Sequence, residues 1–322
     1  MKAVVLEKAC APQDLYVKEV PMPKVKPGWV LVKIKAFGIN RSEIYTRQGH
    51  SPSVKLPRII GIECVGEIAD PSDSAMKMGQ RVVSLMGGLG REFNGSYAEY
   101  ALIPSGQVYA INNELDWVKL AAIPEMYYTA YCSLFDSLML TAGDTLLIRG
   151  GTSSVGVAAL QLAKSIGVTV VSTTRNKQKV EQLNKLGADH VLLDEGDIQP
   201  QLYSIFPNGV NKILELVGTV TLKNSLGMLD EKGILCMTGI LGGEWEMESF
   251  EPMVDIPSGT YFTQFDSGVN FKPQLLTKLF QHIEQFAIEV PIARVFTLEE
   301  ISQAHLLMES NGANGKIVIV NT

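Results

Sequence analysis

Apolar and polar positions alternate along the first third of the chain. The segment Val30-Leu31-Val32-Lys33-Ile34-Lys35-Ala36 has the period of two expected of a half-buried strand. Residues 1–7, 65–68, 80–85 and 97–103 read as further strands, separated by turns such as Lys26-Pro27-Gly28. This pattern predicts a β-rich domain of largely antiparallel strands. From about Leu120 the period changes. Helices are expected at 130–138, 155–166, 177–186 and 221–229, with short apolar strands at 145–149, 168–172, 190–193, 212–216 and 233–237. Such alternation builds an α/β domain around a parallel, doubly wound sheet. Helices at 272–284 and 298–310 and a strand at 315–320 close the chain. The expected organisation is a β-rich domain at 1–120 and 266–322, interrupted by a doubly wound domain at 121–265.

One junction adds chemistry to this pattern. Leu146-Leu147-Ile148-Arg149 runs into Gly150-Gly151-Thr152-Ser153-Ser154-Val155-Gly156 and then into an apolar helix. A strand, a tight small-residue turn, a helix and a second strand form a unit whose turn can hold a dinucleotide pyrophosphate. Gly151 permits the sharp exit from the strand, and Gly156 lets the helix pack closely on the sheet. The first helical turn offers free N–H groups at its positive end. The middle glycine of G-x-G-x-x-G is Ser153 here, whose hydroxyl could donate to phosphate. Gly151, Thr152, Ser153, Ser154, Val155 and Gly156 are the candidate contacts; a plain strand–helix connection is the alternative.

The second strand ends in Thr173-Thr174-Arg175-Asn176-Lys177-Gln178-Lys179, without the carboxylate that holds the ribose 2′-hydroxyl in NAD sites. Thr174, Arg175, Asn176 and Lys179 suit a 2′-phosphate, because a guanidinium offers a planar fork of donors. NADPH is thereby favoured over NADH. A solvated basic helix start is the alternative reading.

Composition narrows the classes. The 322 residues, 46% hydrophobic and 19% charged, suffice for two ordinary globular domains. A net charge of −6 disfavours non-specific nucleic-acid binding. No apolar run approaches the roughly 18 residues of a membrane helix, and the N-terminus does not read as a signal peptide. No membrane partner is expected, and the cytoplasm is the expected compartment. Cys10, Cys64, Cys132 and Cys236 and the four histidines are scattered without zinc-ligand spacing.

Four further stretches occur in a fixed order: Gly95-Ser96-Tyr97-Ala98-Glu99-Tyr100, Ala121-Ala122-Ile123-Pro124 with Thr129-Ala130-Tyr131, Ser153-Ser154-Val155-Gly156, and Gly315-Lys316-Ile317-Val318. Over essentially its whole length the chain resembles the medium-chain dehydrogenase/reductase superfamily. The resemblance implies a Rossmann nucleotide-binding domain, a β-rich GroES-like catalytic domain and a homodimer. Zinc members of that superfamily carry a cysteine in a G-I-C-x-x-D-like segment and a histidine in G-H-E. Here the matching segments are Gly38-Ile39-Asn40-Arg41-Ser42-Glu43 and Gly61-Ile62-Glu63, and the third ligand position falls near Glu125. With two of three ligands replaced and no four-cysteine lobe, no metal is expected.

The remaining pattern is similar to the zinc-independent quinone oxidoreductases and their enone- or enoyl-reductase relatives. It implies that Asn40 contacts the nicotinamide ribose or a substrate oxygen, that Tyr45 faces the substrate, and that Arg47 organises the loop. Glu43 stands where the family more often has Asp. The resemblance also implies that Thr129 lies against the nicotinamide and Gly218 on the adenosine side. Thr238, Gly239 and Ile240 would border the nicotinamide, and Lys316 would reach the cofactor phosphates. The expected activity is hydride transfer from NADPH to a small-molecule quinone or α,β-unsaturated carbonyl, with Asn40 and Tyr45 stabilising charge on the oxygen. The alternatives are an enoyl-thioester reductase, or a non-catalytic NADPH-binding redox sensor or structural protein. Residues 244–265 would shape the acceptor site or pair two subunits.

Overall fold

The computed structural model of the chain describes residues 1–269, 271–310 and 312–321. It divides into two units, Met1–Glu125 with Ser267–Pro273 and Val290–Thr322, and Met126–Asp266 with Gln274–Glu289.

The first unit is β-rich. Its main sheet runs, in spatial order, Ile292–Thr297, Lys316–Val320, Trp29–Gly38, Glu63–Asp70, Arg81–Leu85 and Tyr109–Ala110, with Tyr100–Pro104 also paired to Trp29–Gly38. All pairs are antiparallel except Ile292–Thr297 with Lys316–Val320. The predicted alternation is the register of the long strand: Val30, Val32 and Ile34 enter the core with Ile68, Val82, Ile317 and Ile319, whereas Lys33 is exposed. Tyr97 stacks on Phe37 with ring centroids 5.0 Å apart. A smaller sheet joins Val17–Glu19, Lys2–Leu6 and Arg58–Ile59. The helix Arg41–Arg47 has only 7 residues, too few for a periodic stripe to announce it.

The second unit is the doubly wound domain. Six parallel strands lie in the order His190–Leu193, Thr169–Thr174, Thr145–Arg149, Val210–Glu215, Leu229–Met237 and Tyr261–Gln264. Leu147, Val171, Ile213 and Leu235 come from four neighbouring strands and pack with Leu222 and Leu226. The strand order changes direction between Thr145–Arg149 and Val210–Glu215, so the loop after Arg149 lies at the switch point, where ligands of such sheets bind.

Several elements differ from the sequence reading. Residues 266–322 do not all join the β-rich unit: Gln274–Glu289 belongs to the second, where the helix Pro273–Gln285 buries Leu276, Leu279 and Ile283. The helix expected at 130–138 starts earlier, as Pro124–Cys132, because proline suits a first helical turn, and it continues as a π-turn through Ser133–Ser137. Tyr261–Gln264 and Ile292–Thr297 were not expected as strands. Both are edge strands with at most one buried residue, so neither leaves a clean apolar pattern. Among the described residues no helix is long and apolar enough to cross a membrane.

Candidate active site

In the second unit three loops at the carboxyl ends of adjacent strands are fastened together. Ser153 caps the helix Ser154–Ser165, its Oγ accepting from the Gly156 N–H at 3.1 Å. A Cβ on Gly151 would stand 1.9 Å from Ser172 Oγ, and one on Gly156 would stand 2.6 Å from the Gly150 carbonyl oxygen. Backbone atoms leave room only for glycine at Gly156, and at Gly151 a side chain would have to displace the Ser172 hydroxyl. The first-turn N–H groups of Ser154 and Val155 have no acceptor within the helix, which suits a pyrophosphate. Gly218, at φ +99°, would bring a Cβ within 3.0 Å of the Gly239 carbonyl. The Leu241 N–H donates to the Leu216 carbonyl at 3.0 Å, and the Leu216 N–H to that of Arg149 at 3.1 Å. The turn at 150–156 is thus tied to the loops carrying Gly218 and Gly239.

Two buried charges brace these loops. Glu215 Oε1 accepts from the N–H groups of Val217 and Gly218 at 2.8 and 3.1 Å. Arg149, wholly buried, forks onto Asp194 at 2.9 and 3.0 Å and donates to Asn224. Burial raises the Glu215 pKa, against hydrogen bonds from Ser225 and Gly218. Thr129 and Thr238 meet through a residue the sequence reading missed. Ser133 Oγ donates to the Thr129 carbonyl at 2.8 Å and lies 2.9 Å from Thr238 Oγ1. After the strand Thr169–Thr174, Thr174 is buried, Arg175, Asn176 and Lys177 are exposed, and Lys179 is half-buried. These features fit a pyridine nucleotide.

The first unit brings together Asn40, Glu43, Glu63 and Lys316. Asn40 precedes the helix Arg41–Arg47, and its N–H donates to Glu43 Oε2 at 3.1 Å. Its Nδ2 donates to Glu63 Oε1 at 2.9 Å, and its Oδ1 accepts from Lys316 Nζ. Lys316 Nζ is also 2.7 Å from Glu63 Oε1, and neither side chain is exposed. Lys316, expected to reach the cofactor phosphates, has its ammonium enclosed within the unit, paired with Glu63 and near enough to Glu43 to act on that carboxyl. Gly38 makes the room, since a Cβ there would stand 2.2 Å from Lys316 Cε. Glu43 Oε1 takes the Ile62 N–H at 3.2 Å. Burial first, and the Glu63 charge second, push the Glu43 pKa up to about 7.

Tyr45 lies on the half-exposed face of the same helix, with Arg41 and Ser42, while Glu43, Ile44 and Arg47 turn inward. Arg47 donates to the Cys10 carbonyl at 2.7 Å and pairs with Glu309, so it fastens the helix to its surroundings. Among the described residues no three His, Cys, Asp or Glu side chains form a metal-holding group.

A doubly wound sheet with a glycine turn at its switch point, and a β-rich unit of this topology, define a Rossmann domain and a GroES-like domain. Comparison with known proteins agrees. Residues 26–113 match the alcohol dehydrogenase GroES-like domain, and residues 154–262 match the zinc-binding dehydrogenase family. The quinone oxidoreductase of Lama guanicoe is 31% identical over 99% of this chain and 97% of its own length. That of Sus scrofa is 30% identical over 94% and 92%. A mycobacterial protein solved in complex with NADPH superposes with a TM-score of 0.87 at 25% identity, over 100% of both chains. The chain belongs to the medium-chain dehydrogenase/reductase superfamily, in its quinone oxidoreductase-like branch, and is an oxidoreductase.

Proposed function

We propose that the chain is a zinc-independent, NADPH-dependent reductase of quinones or α,β-unsaturated carbonyls. The observation that carries this reading is the Lys316 ammonium lodged on Asn40 Oδ1 and Glu63 Oε1. Where zinc members of the superfamily carry cysteine and histidine ligands, this chain has Asn40 and Ile62, and a buried cation touches Asn40. A metal dication there would meet the charge of Lys316 at close range. The basic, carboxylate-free run at Arg175 and Lys177 supports NADPH over NADH.

The nucleotide, when bound, supplies the hydride chemistry. Gly151, Thr152, Ser153, Ser154, Val155 and Gly156 would hold its pyrophosphate, and Thr174, Arg175, Asn176 and Lys179 its 2′-phosphate. Gly218 would flank the adenosine side, with Thr129, Thr238, Gly239 and Ile240 toward the nicotinamide. Asn40 and Tyr45 would donate hydrogen bonds to the acceptor oxygen as negative charge develops on it. Solvent would deliver the closing proton. Tyr45→Phe and Asn40→Ala should then lower turnover more than NADPH affinity, and unchanged kinetics in both would remove them from the mechanism. We also propose a homodimer, supported by the exposed Tyr261 on the edge strand Tyr261–Gln264 and by exposed Met253 and Val254. Light scattering at micromolar concentration tests it; a monomeric mass would reject it.

A further inference from the structure

Asn40 makes two side-chain hydrogen bonds of opposite sense, and both partners are charged. Glu63 Oε1 accepts from Nδ2 at 2.9 Å, and Lys316 Nζ donates to Oδ1. An ammonium only donates, and a carboxylate only accepts. Turning the amide over would set nitrogen against ammonium and oxygen against carboxylate, so a single orientation survives. The partners are themselves fixed. Lys316 and Glu63 are wholly buried and paired at 2.7 Å. Glu63 Oε2 takes the Glu125 N–H at 2.8 Å, and the lysine stem lies against Gly38, where a Cβ would stand 2.2 Å from Lys316 Cε.

A buried ion pair is a poor device for stability, because apolar side chains of the same volume commonly serve as well. Here the pair grips a neutral amide instead. We infer that Lys316 and Glu63 are positioning residues for Asn40, holding its carboxamide so that one Nδ2 hydrogen stays available to the nucleotide ribose or the acceptor oxygen. The ammonium on Oδ1 also polarises the amide and strengthens that remaining donor. The inference rests on the role proposed above for Asn40.

A double-mutant cycle separates the two ideas. Lys316→Met with Glu63→Gln removes both charges of the pair together, and Glu43, which feels both, loses an attractive and a repulsive neighbour at once. It should lower kcat/KM by about tenfold in the wild-type background and by less than about twofold in Asn40→Ala, with NADPH affinity nearly constant. Equal losses in both backgrounds would overturn the positioning role. An Asn40→Ala enzyme with wild-type kinetics would overturn it as well, by removing anything to position, and is recognised from that single variant. A measurement on the unmodified charge pair guards against misfolding of the variant. In wild-type protein the Asn40 side-chain NH2 resonances, assigned by their loss in Asn40→Ala, should be well dispersed and protected from solvent exchange. A fast-exchanging, random-coil pair would contradict the inference.

Discussion

Lowering the pH from 8 to 5 should stabilise the first unit through one buried carboxyl. Glu43 has no exposed surface to speak of, and its pKa stands at about 7 against an ordinary value of 4.5. Between those values the folded protein keeps a proton that the unfolded chain has released. Folding therefore gains as the pH falls through 7, and the gain is complete below 4.5. From pH 8 to 5 the linkage amounts to about 2–3 kcal/mol. His305 works in the opposite sense. It is wholly buried, and burial, with the Arg47 charge, lowers its pKa to about 3. Unfolding then takes up a proton below its ordinary 6.5, and stability declines as the pH drops from there toward 3. The two effects partly cancel between 6.5 and 5. The quantity to measure is the stability of wild type minus that of Glu43→Gln, in which His305 is common to both. The variant loses one acceptor for the Asn40 or Ile62 N–H, but that loss does not vary with pH. Urea unfolding can be followed through Trp29 and Trp117 of the first unit in a Trp245→Phe background. The difference should shift by about 2–3 kcal/mol across the range. A difference constant within about 0.5 kcal/mol would refute the assignment of a raised pKa to Glu43.

Other outcomes follow from the same geometry. Gly38→Ala should cost about 2 kcal/mol or more and lower the melting temperature, because its Cβ collides with the buried Lys316 stem; an unchanged melting curve would mean that the lysine has another place to go. Gly156→Val should weaken NADPH binding, measured by fluorescence titration, by pushing the helix Ser154–Ser165 away from Gly150; wild-type affinity would contradict the close packing. Arg175→Glu should raise the Kd for NADPH about tenfold or more while leaving that for NADH nearly unchanged, and equal effects on both would dissociate Arg175 from the 2′-phosphate. Arg149→Met should destabilise the second unit by about 3 kcal/mol, since it strands Asp194 and removes the brace beneath the glycine turn; a loss below about 1 kcal/mol in chemical denaturation would argue against that brace.

The doubly wound sheet was legible because its strands are short apolar runs between amphipathic helices. The glycine turn was legible because small residues cluster between an apolar strand and an apolar helix, and backbone closeness demands glycine at Gly156. The helix Arg41–Arg47 and the edge strands Tyr261–Gln264 and Ile292–Thr297 were not, being too short or too exposed to leave a period. The surroundings of Lys316 were not legible for a different reason. Its partners Glu63 and Asn40 lie hundreds of residues away in sequence, and nothing local says that the ammonium turns inward. A signal did exist: Lys316 is the lone charge in an otherwise apolar strand, and a buried charge is seldom left unpaired. Ser133 left no comparable trace, because a serine one turn after Thr129 is ordinary in a helix.

The most direct measurement is steady-state oxidation of NADPH and NADH by protein treated with a chelator, with 1,4-benzoquinone, 9,10-phenanthrenequinone and a simple enone offered in parallel. Acceptor-dependent turnover that survives chelation, with a higher kcat/KM for NADPH than for NADH, is the predicted result. Turnover abolished by chelation and restored by zinc, or no acceptor-dependent oxidation despite saturable NADPH binding, would contradict the account.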